Sequence, residues 1–92
     1  MRISNNQVRA FVQTQKEFKT NNQTMFGETV NGKYVVYSYG THFPMYVYVD
    51  GKWFGNSDKY SRTTSAHQSK SHPLVDEIQW MNTQQLKTFI WE

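Results

Sequence analysis

Two dipeptides, Asn31-Gly32 and Asp50-Gly51, constrain the fold of this sequence more than any other feature. Each lies between runs rich in β-branched and aromatic residues, and such dipeptides favour the two-residue turn of a β-hairpin. The predicted strands cover residues 23–30, 34–39, 43–49 and 52–54. Because both turns join antiparallel neighbours, the sequence predicts a β-meander over residues 23–56.

The third predicted strand divides its side chains between two faces, because successive residues of a strand point to opposite sides of the sheet. One face carries Phe43, Met45, Val47 and Val49, and the other carries Tyr46 and Tyr48. Pro44 cannot donate a ladder hydrogen bond, so we expect it at the start of the strand or on an edge strand.

Helical patterns flank the meander. Ser4 and Gln7 have the spacing of a capping box, and apolar residues recur at helical spacing after them, which predicts a helix over residues 4–20. That apolar row consists of Val8, Phe11, Val12 and Phe18. A short strand and a second helix are predicted over residues 75–91, where Asn82 and Gln85 repeat the capping pattern. The inner face of the second helix consists of Leu86, Phe89 and Ile90.

This order of elements is typical of an α+β domain. We expect an antiparallel β-meander of four to five strands, with the N-terminal and the C-terminal helix packed on one face of the sheet. A chain of 92 residues forms one core, so residues 1–92 are predicted to be a single small domain. The 16% of aromatic residues makes that core possible despite its size.

Several classes of protein are excluded by composition. The sequence has no cysteine, so disulfides and thiolate metal sites are impossible, and nothing indicates an oxidising compartment. It has no apolar run of about 18 residues and no apolar stretch near Met1 that resembles a signal peptide. We expect no membrane partner and a cytoplasmic location.

Residues 57–73 form a predicted loop with unusual chemistry. From Lys59 to Pro73 the chain holds three basic residues and six Ser or Thr hydroxyls but no carboxylate, and this excess equals the net charge of +3. A local positive charge with short hydroxyl donors suits an anionic partner such as phosphate. The candidate contact residues are Lys59, Tyr60, Ser61, Arg62, Thr63, Thr64, Ser65, His67 and Lys70. A solvated loop without a role and a loop that contacts an acidic protein patch remain alternatives.

The aromatic residues of the meander are a second candidate surface. If both helices cover the Met45 face, Tyr46 and Tyr48 lie on the open face, where rings could stack on bases or enter a partner's pocket. Trp53, on the following strand, is the third stacking candidate. The alternative is that these rings only pack across neighbouring strands.

No enzymatic motif is present, and we expect neither a cofactor nor a metal. His67 and His72 are separated by four residues (H-x4-H) in a serine-rich segment, which does not fit the usual zinc spacings. No glycine-supported nucleophile turn and no phosphate-cradling glycine motif occurs. A small hydrolase that uses His67 is the weakest of the functional hypotheses.

Two runs resemble a family of small uncharacterised proteins from tailed bacteriophages and prophages. The runs are YVVYSYGTHFPM at residues 34–45 and NSDKYSRTTS at 56–65, followed by His67 and Ser69. In that family a YSYGxHFP run precedes a DKYSRTTSxHxS run, and the resemblance covers about residues 33–73. It implies a phage protein that acts in the cytoplasm of a bacterial host.

The leading hypothesis is a non-enzymatic phage protein of host takeover or anti-defence. Its basic loop and nearby tyrosines would contact nucleic acid or a nucleotide, or block the nucleic-acid site of a bacterial defence protein. The alternative is a pure protein–protein inhibitor that uses the aromatic sheet face and Trp91. An edge strand at Pro44 and a small core would be compatible with a homodimer.

Overall fold

Seven strands and two helices make up the described part of the chain, which covers residues 2–4, 7–20, 24–38, 43–58, 68, 71–73, 75 and 77–91 of a computed structural model. The strands are β1 (Arg2–Ile3), β2 (Phe18–Thr20), β3 (Met25–Val30), β4 (Lys33–Ser38), β5 (Pro44–Val49), β6 (Lys52–Asn56) and β7 (Gln79–Met81). The helices are α1 (Val8–Gln13) and α2 (Thr83–Trp91). All seven strands belong to one sheet, and they lie in it in chain order.

The predicted meander is confirmed. Strands β2 to β6 are paired antiparallel, each with the next along the chain. Asn31 and Gly32 have φ angles of 51° and 77°, and Asp50 and Gly51 have 51° and 76°. Two consecutive positive φ angles define the type I′ turn that these dipeptides predict. The fold class is α+β as predicted, and the sheet has more strands than the expected four to five.

The additional strands are joined through parallel pairs. β1 pairs parallel with β2, and β6 pairs parallel with β7, so each pair requires a connection that crosses one face of the sheet. Both connections lead in the same direction across the sheet, between strands that point the same way. The first contains α1, and the second is the chain between β6 and β7. Such crossovers share one handedness, and the described residues Val75 and Ile78 of the second pack against the same core as α1.

The sheet has a core on each face, and each core includes one helix. We call these the α1 face and the α2 face. The core of the α1 face consists of Ile3, Val8, Val12, Phe18, Met25, Tyr34, Val36, Phe43, Met45, Tyr46 and Trp53. The core of the α2 face consists of Val35, Tyr37, Val47, Phe54, Leu86 and Ile90. The prediction that both helices pack on one face was therefore wrong. The two crossovers already cover the α1 face, so α2 packs on the other.

Helix α1 is much shorter than the predicted helix over residues 4–20. It ends because Gln15 adopts a left-handed conformation with φ of 54°. The Lys16 N–H donates to the Phe11 carbonyl at 2.9 Å, and the Gln15 N–H donates to the Val12 carbonyl at 3.0 Å. This is a Schellman motif, in which the left-handed position is usually glycine. Phe18, which was expected on the helix, instead begins β2 opposite Gly27.

A β-bulge changes the faces of β5. Val36 pairs with Tyr46, but Tyr37 pairs with Pro44, so Met45 is the extra residue. Met45 is therefore buried in the α1-face core together with Tyr46, and the prediction that it shares a face with Val47 was wrong. Pro44 begins the strand as expected. Because β5 lies in the interior of the sheet, the edge-strand argument for a homodimer no longer holds.

The start of α2 follows the predicted capping box. The Gln85 N–H donates to Asn82 Oδ1 at 2.8 Å, and the Asn82 N–H donates to Gln85 Oε1 at 3.0 Å. Asp58 Oδ2 also accepts a hydrogen bond from the Thr83 N–H at 2.9 Å. The hydrogen bonds from Thr83 lower the pKa of the Asp58 carboxyl. The carboxylate charge of Asp58 is thus engaged at the helix terminus.

Candidate functional site

The predicted contact residues of the basic loop lie outside the described residues. They are Lys59, Tyr60, Ser61, Arg62, Thr63, Thr64, Ser65, His67 and Lys70. The structure does describe the chain on both sides of this segment and one residue within it, Gln68. The contacts of these described residues show where the chain leaves β6 and where it returns to the fold.

The described residues within and next to residues 59–70, which we call the basic segment, contact the fold beside β5 and β6. Tyr46 Oη donates to the Gln68 carbonyl at 3.0 Å, and Gln68 Nε2 donates to the Asn56 carbonyl at 3.1 Å. Where the segment leaves β6, the Ser57 N–H donates to the Met81 carbonyl at 2.7 Å. Where it ends, Ser71 is fully buried. Ser57, Gln68 and Ser71 are therefore each held by contacts with the fold.

Two of the three predicted stacking residues are buried. Tyr46 is 1% exposed and Trp53 is 5% exposed, so neither ring presents a free face to a ligand. The cause is that α1 and the described residues His72, Val75 and Ile78 pack on the face that was expected to be open. Burial raises the pKa of Tyr46 to about 12, although the nearby positive charge of Arg9 acts in the opposite direction. Tyr48 is half-buried and lies at the margin of a cleft.

A different aromatic residue, Trp80, is exposed on the α1 face. Its ring lies directly against the backbone of Gly55, since a Cβ atom placed on Gly55 would be 2.6 Å from Trp80 Cζ3. The ring also contacts the rings of His72 and Tyr46, with centroid separations of 6.2 and 6.4 Å. Nevertheless, 53% of Trp80 is exposed to solvent. One side of this indole is therefore held by the protein while the remainder is available.

The polar ring of His72 contacts Trp80, and a positive charge is bound to the backbone of His72. Arg9, on the exposed side of α1, donates from Nε to the His72 carbonyl at 3.0 Å. His72 Nδ1 lies 2.8 Å from the Pro73 carbonyl oxygen. Because a carbonyl oxygen only accepts, Nδ1 carries the hydrogen in this contact. We call Arg9, His72 and Trp80 the Trp80 patch. It borders the point at which the basic segment rejoins the described chain.

Sequence reasoning did not find the Trp80 patch. It placed Trp80 on a strand but could not say which element that strand would join. The parallel pairing of β7 with β6 sets Trp80 opposite Gly55, and this pairing depends on a long connection. The sequence feature that could have indicated the patch is Gly55, because a glycine within a strand often marks the close approach of another group.

A second feature, which we call the Tyr48 cleft, opens near the β5–β6 turn and has a volume of about 660 Å³. It lies between the end of α1 and the chain that leads into β7. The lining residues are Gln13, Gln15, Tyr48, Gly51, Lys52, Trp53, Val75, Glu77 and Gln79. The rings of Tyr48 and Trp53 are in contact, with centroids 5.0 Å apart. The cleft thus combines an aromatic wall with amide groups and one charge of each sign.

The described residues offer neither a group of metal ligands nor a membrane-spanning helix. No group of three or more histidine or acidic side chains among them could hold a metal ion. None of the helices that the structure describes is long and apolar enough to cross a lipid bilayer.

The fold defines the chain as an α+β domain built on a seven-stranded mixed sheet with a helix on each face. It belongs to DUF8033, a family of unknown function whose model matches residues 7–83. The matched region includes both the Trp80 patch and the Tyr48 cleft. No curated protein and no solved structure matches the chain.

Proposed function

We propose that this chain is a non-enzymatic binding protein that contacts nucleic acid or a nucleotide through the Trp80 patch and the adjoining basic segment. The exposed indole of Trp80 is the observation that carries the proposal. A ring fixed against Gly55, His72 and Tyr46 loses little freedom on binding, which favours affinity. Stacking of a base on such a ring contributes about 1–3 kcal/mol and tolerates any sequence.

The charges around the ring support the same ligand class. Arg9 is hydrogen-bonded to the carbonyl of His72, whose ring contacts the indole, and the segment that contributes the whole net charge of +3 precedes His72 in the chain. The acidic residue just before that segment, Asp58, accepts a hydrogen bond from the Thr83 N–H at the N-terminus of α2. A strand stacked on Trp80 would therefore pass cations and hydroxyl donors, which contact phosphates.

The biological setting remains part of the proposal. The resemblance to phage proteins suggests host takeover or anti-defence in the bacterial cytoplasm, with the bound nucleic acid or a defence protein's nucleic-acid site as the target. One observation favours the alternative of a protein–protein inhibitor. Trp91, at the end of α2, is 52% exposed, and exposed tryptophans are enriched among the residues that dominate protein interfaces.

The three tryptophans allow a direct test, because they lie at three separate places: Trp53 in the cleft, Trp80 in the patch and Trp91 on α2. The indole N–H signals are assigned in a two-dimensional ¹H–¹⁵N NMR spectrum with single Trp→Phe variants. A short single-stranded oligonucleotide of mixed sequence is then added. We expect the Trp80 signal to shift and the Trp91 signal to stay in place.

Affinities of matched variants complete the test. Trp80→Ala should weaken oligonucleotide binding about tenfold or more, whereas Trp91→Ala, an equally exposed control, should not change it. Arg62→Ala should reduce the slope of log affinity against log salt by about one. The proposal fails if Trp80→Ala, shown to be folded by circular dichroism, binds as the parent chain does. A shift confined to the Trp91 signal would likewise overturn it.

A further inference from the structure

We infer that the Tyr48 cleft is a binding site for a single unpaired nucleobase. This inference rests on the proposed function and adds to it the form of the ligand: a free nucleoside or an unstacked base of a single strand, and not a duplex. The cleft is separate from the Trp80 patch and contains none of its residues.

The size and charge of the cleft indicate a small, uncharged ligand. Its volume of about 660 Å³ lies within the range of about 300–1,000 Å³ that is usual for small-molecule sites. Lys52 and Glu77 contribute one charge of each sign to its lining, so the cleft favours neither an anion nor a cation. Phosphate groups would therefore be bound outside the cleft, and a neutral ring would be bound within it.

The lining chemistry matches a planar ring with hydrogen-bonding edges. Tyr48 provides an aromatic surface that is kept in place by its contact with Trp53. Side-chain amides both donate and accept, and they pair with base edges such as that of adenine in two directions at once. Such amides are carried by the lining residues Gln13 and Gln15. Gln15 Nε2 donates to the Gln13 carbonyl at 2.8 Å, which orients that amide.

The cleft and the Trp80 patch are placed so that one strand could use both. Trp53 and Gly55 are two residues apart on β6, which corresponds to about 7 Å along a strand. Gly55 lies against Trp80, and Trp53 lies in the cleft wall. Both sites are on the α1 face, where Ile78 packs against the core. Bases bound at the two sites could not also stay stacked or paired in a duplex.

The experiment uses phosphate-free probes so that the cleft is tested apart from the basic segment. Adenosine, uridine and methyl glucoside are added separately to the full chain, and the three indole signals are followed. We expect adenosine or uridine to shift the Trp53 signal and methyl glucoside to leave it unchanged. The inference is overturned if methyl glucoside alone shifts the Trp53 signal, or if none of the three probes shifts it.

Variants of the cleft then decide whether a polymer uses it. Tyr48→Ala should weaken single-stranded oligonucleotide binding about tenfold and abolish the nucleoside shift, while Tyr48→Phe retains both. Gln13→Ala, at a position on α1 outside both cores, should also weaken the nucleoside shift, and it replaces Tyr48→Ala as the test if that variant fails to fold. Nucleoside binding without any effect of these variants on oligonucleotide affinity would identify a free-nucleoside site. Oligonucleotide binding that depends on Trp80, without nucleoside binding, would overturn this inference and leave the proposed function intact.

Discussion

Replacing Gly55 with alanine tests how firmly the fold holds the Trp80 ring. The added Cβ would lie 2.6 Å from Trp80 Cζ3, 2.8 Å from Trp80 Cε3 and 2.9 Å from Ile78 Cγ2. Carbon atoms in good contact are about 3.5–4.0 Å apart, so the indole must retreat by about 1 Å. Forcing extra volume into such a contact costs about 1–3 kcal/mol.

A smaller effect acts in the opposite direction. Alanine is better than glycine within a strand by about 0.5–1 kcal/mol, because it has less backbone freedom to lose. The net expectation for Gly55→Ala is a loss of about 1–2 kcal/mol in the free energy of unfolding. For a domain of this size that corresponds to a decrease in Tm of about 5–15 °C.

A double-mutant cycle attributes this loss to the ring. Urea unfolding is followed by circular dichroism for the parent chain, Gly55→Ala, Trp80→Ala and the double variant. We expect a coupling of about 1 kcal/mol or more, because Trp80→Ala removes two of the three close contacts. Gly27→Ala is the matched control, since its Cβ would meet Tyr34 and Phe18 and should not couple to Trp80. An equal cost of Gly55→Ala in both backgrounds would refute the placement of the indole.

Three further predictions concern the fold and its pH dependence. Asn82→Ala removes the oxygen that accepts the hydrogen bond from the Gln85 N–H, so it should lower the free energy of unfolding by about 1 kcal/mol. An unchanged midpoint in urea titrations would contradict the capping box. The buried Tyr37 hydroxyl has no hydrogen-bond partner among the described residues, so Tyr37→Phe should raise the free energy of unfolding by about 1 kcal/mol. A clear decrease in the free energy of unfolding would show instead that this hydroxyl makes a hydrogen bond. The pKa of Tyr46 is raised to about 12 by burial, which favours its neutral form in the folded state. The contribution of the neutral Tyr46 hydroxyl to stability is complete below about pH 10 and is lost as the pH rises towards 12. The urea midpoint of the parent chain should therefore fall across that range, and it should fall less steeply in Tyr46→Phe.

The parts of the fold that could be predicted from the sequence are those set by local chemistry. Asn31-Gly32 and Asp50-Gly51 adopt the turns that their dipeptides favour, and Asn82 caps α2 as its spacing with Gln85 indicates. In each case the deciding interactions join residues a few positions apart. The strands of the meander follow because the turns fix both the direction and the register of their neighbours.

The errors arose where local signals were misleading or distant pairings decided the outcome. Gln15 ends α1 in a conformation that normally requires glycine, so the helical pattern appeared to continue to Phe18. The bulge at Met45 moved one residue to the other face of β5. Because the two parallel pairs were not foreseen, the crossover that buries Tyr46 was missing from the prediction. The exposed ring was consequently assigned to the wrong strand.

The agreement between strand order and chain order has a consequence for the speed of folding. Every pair from β2 to β6 joins chain neighbours, so little loop entropy is lost before native contacts form. The two parallel pairs close longer loops, from Ile3 to Thr20 and, the longest, from Asn56 to Met81. We therefore expect the meander to form first and β7 to dock last. In rapid refolding, the fluorescence of Trp80 should reach its native value after that of Trp53.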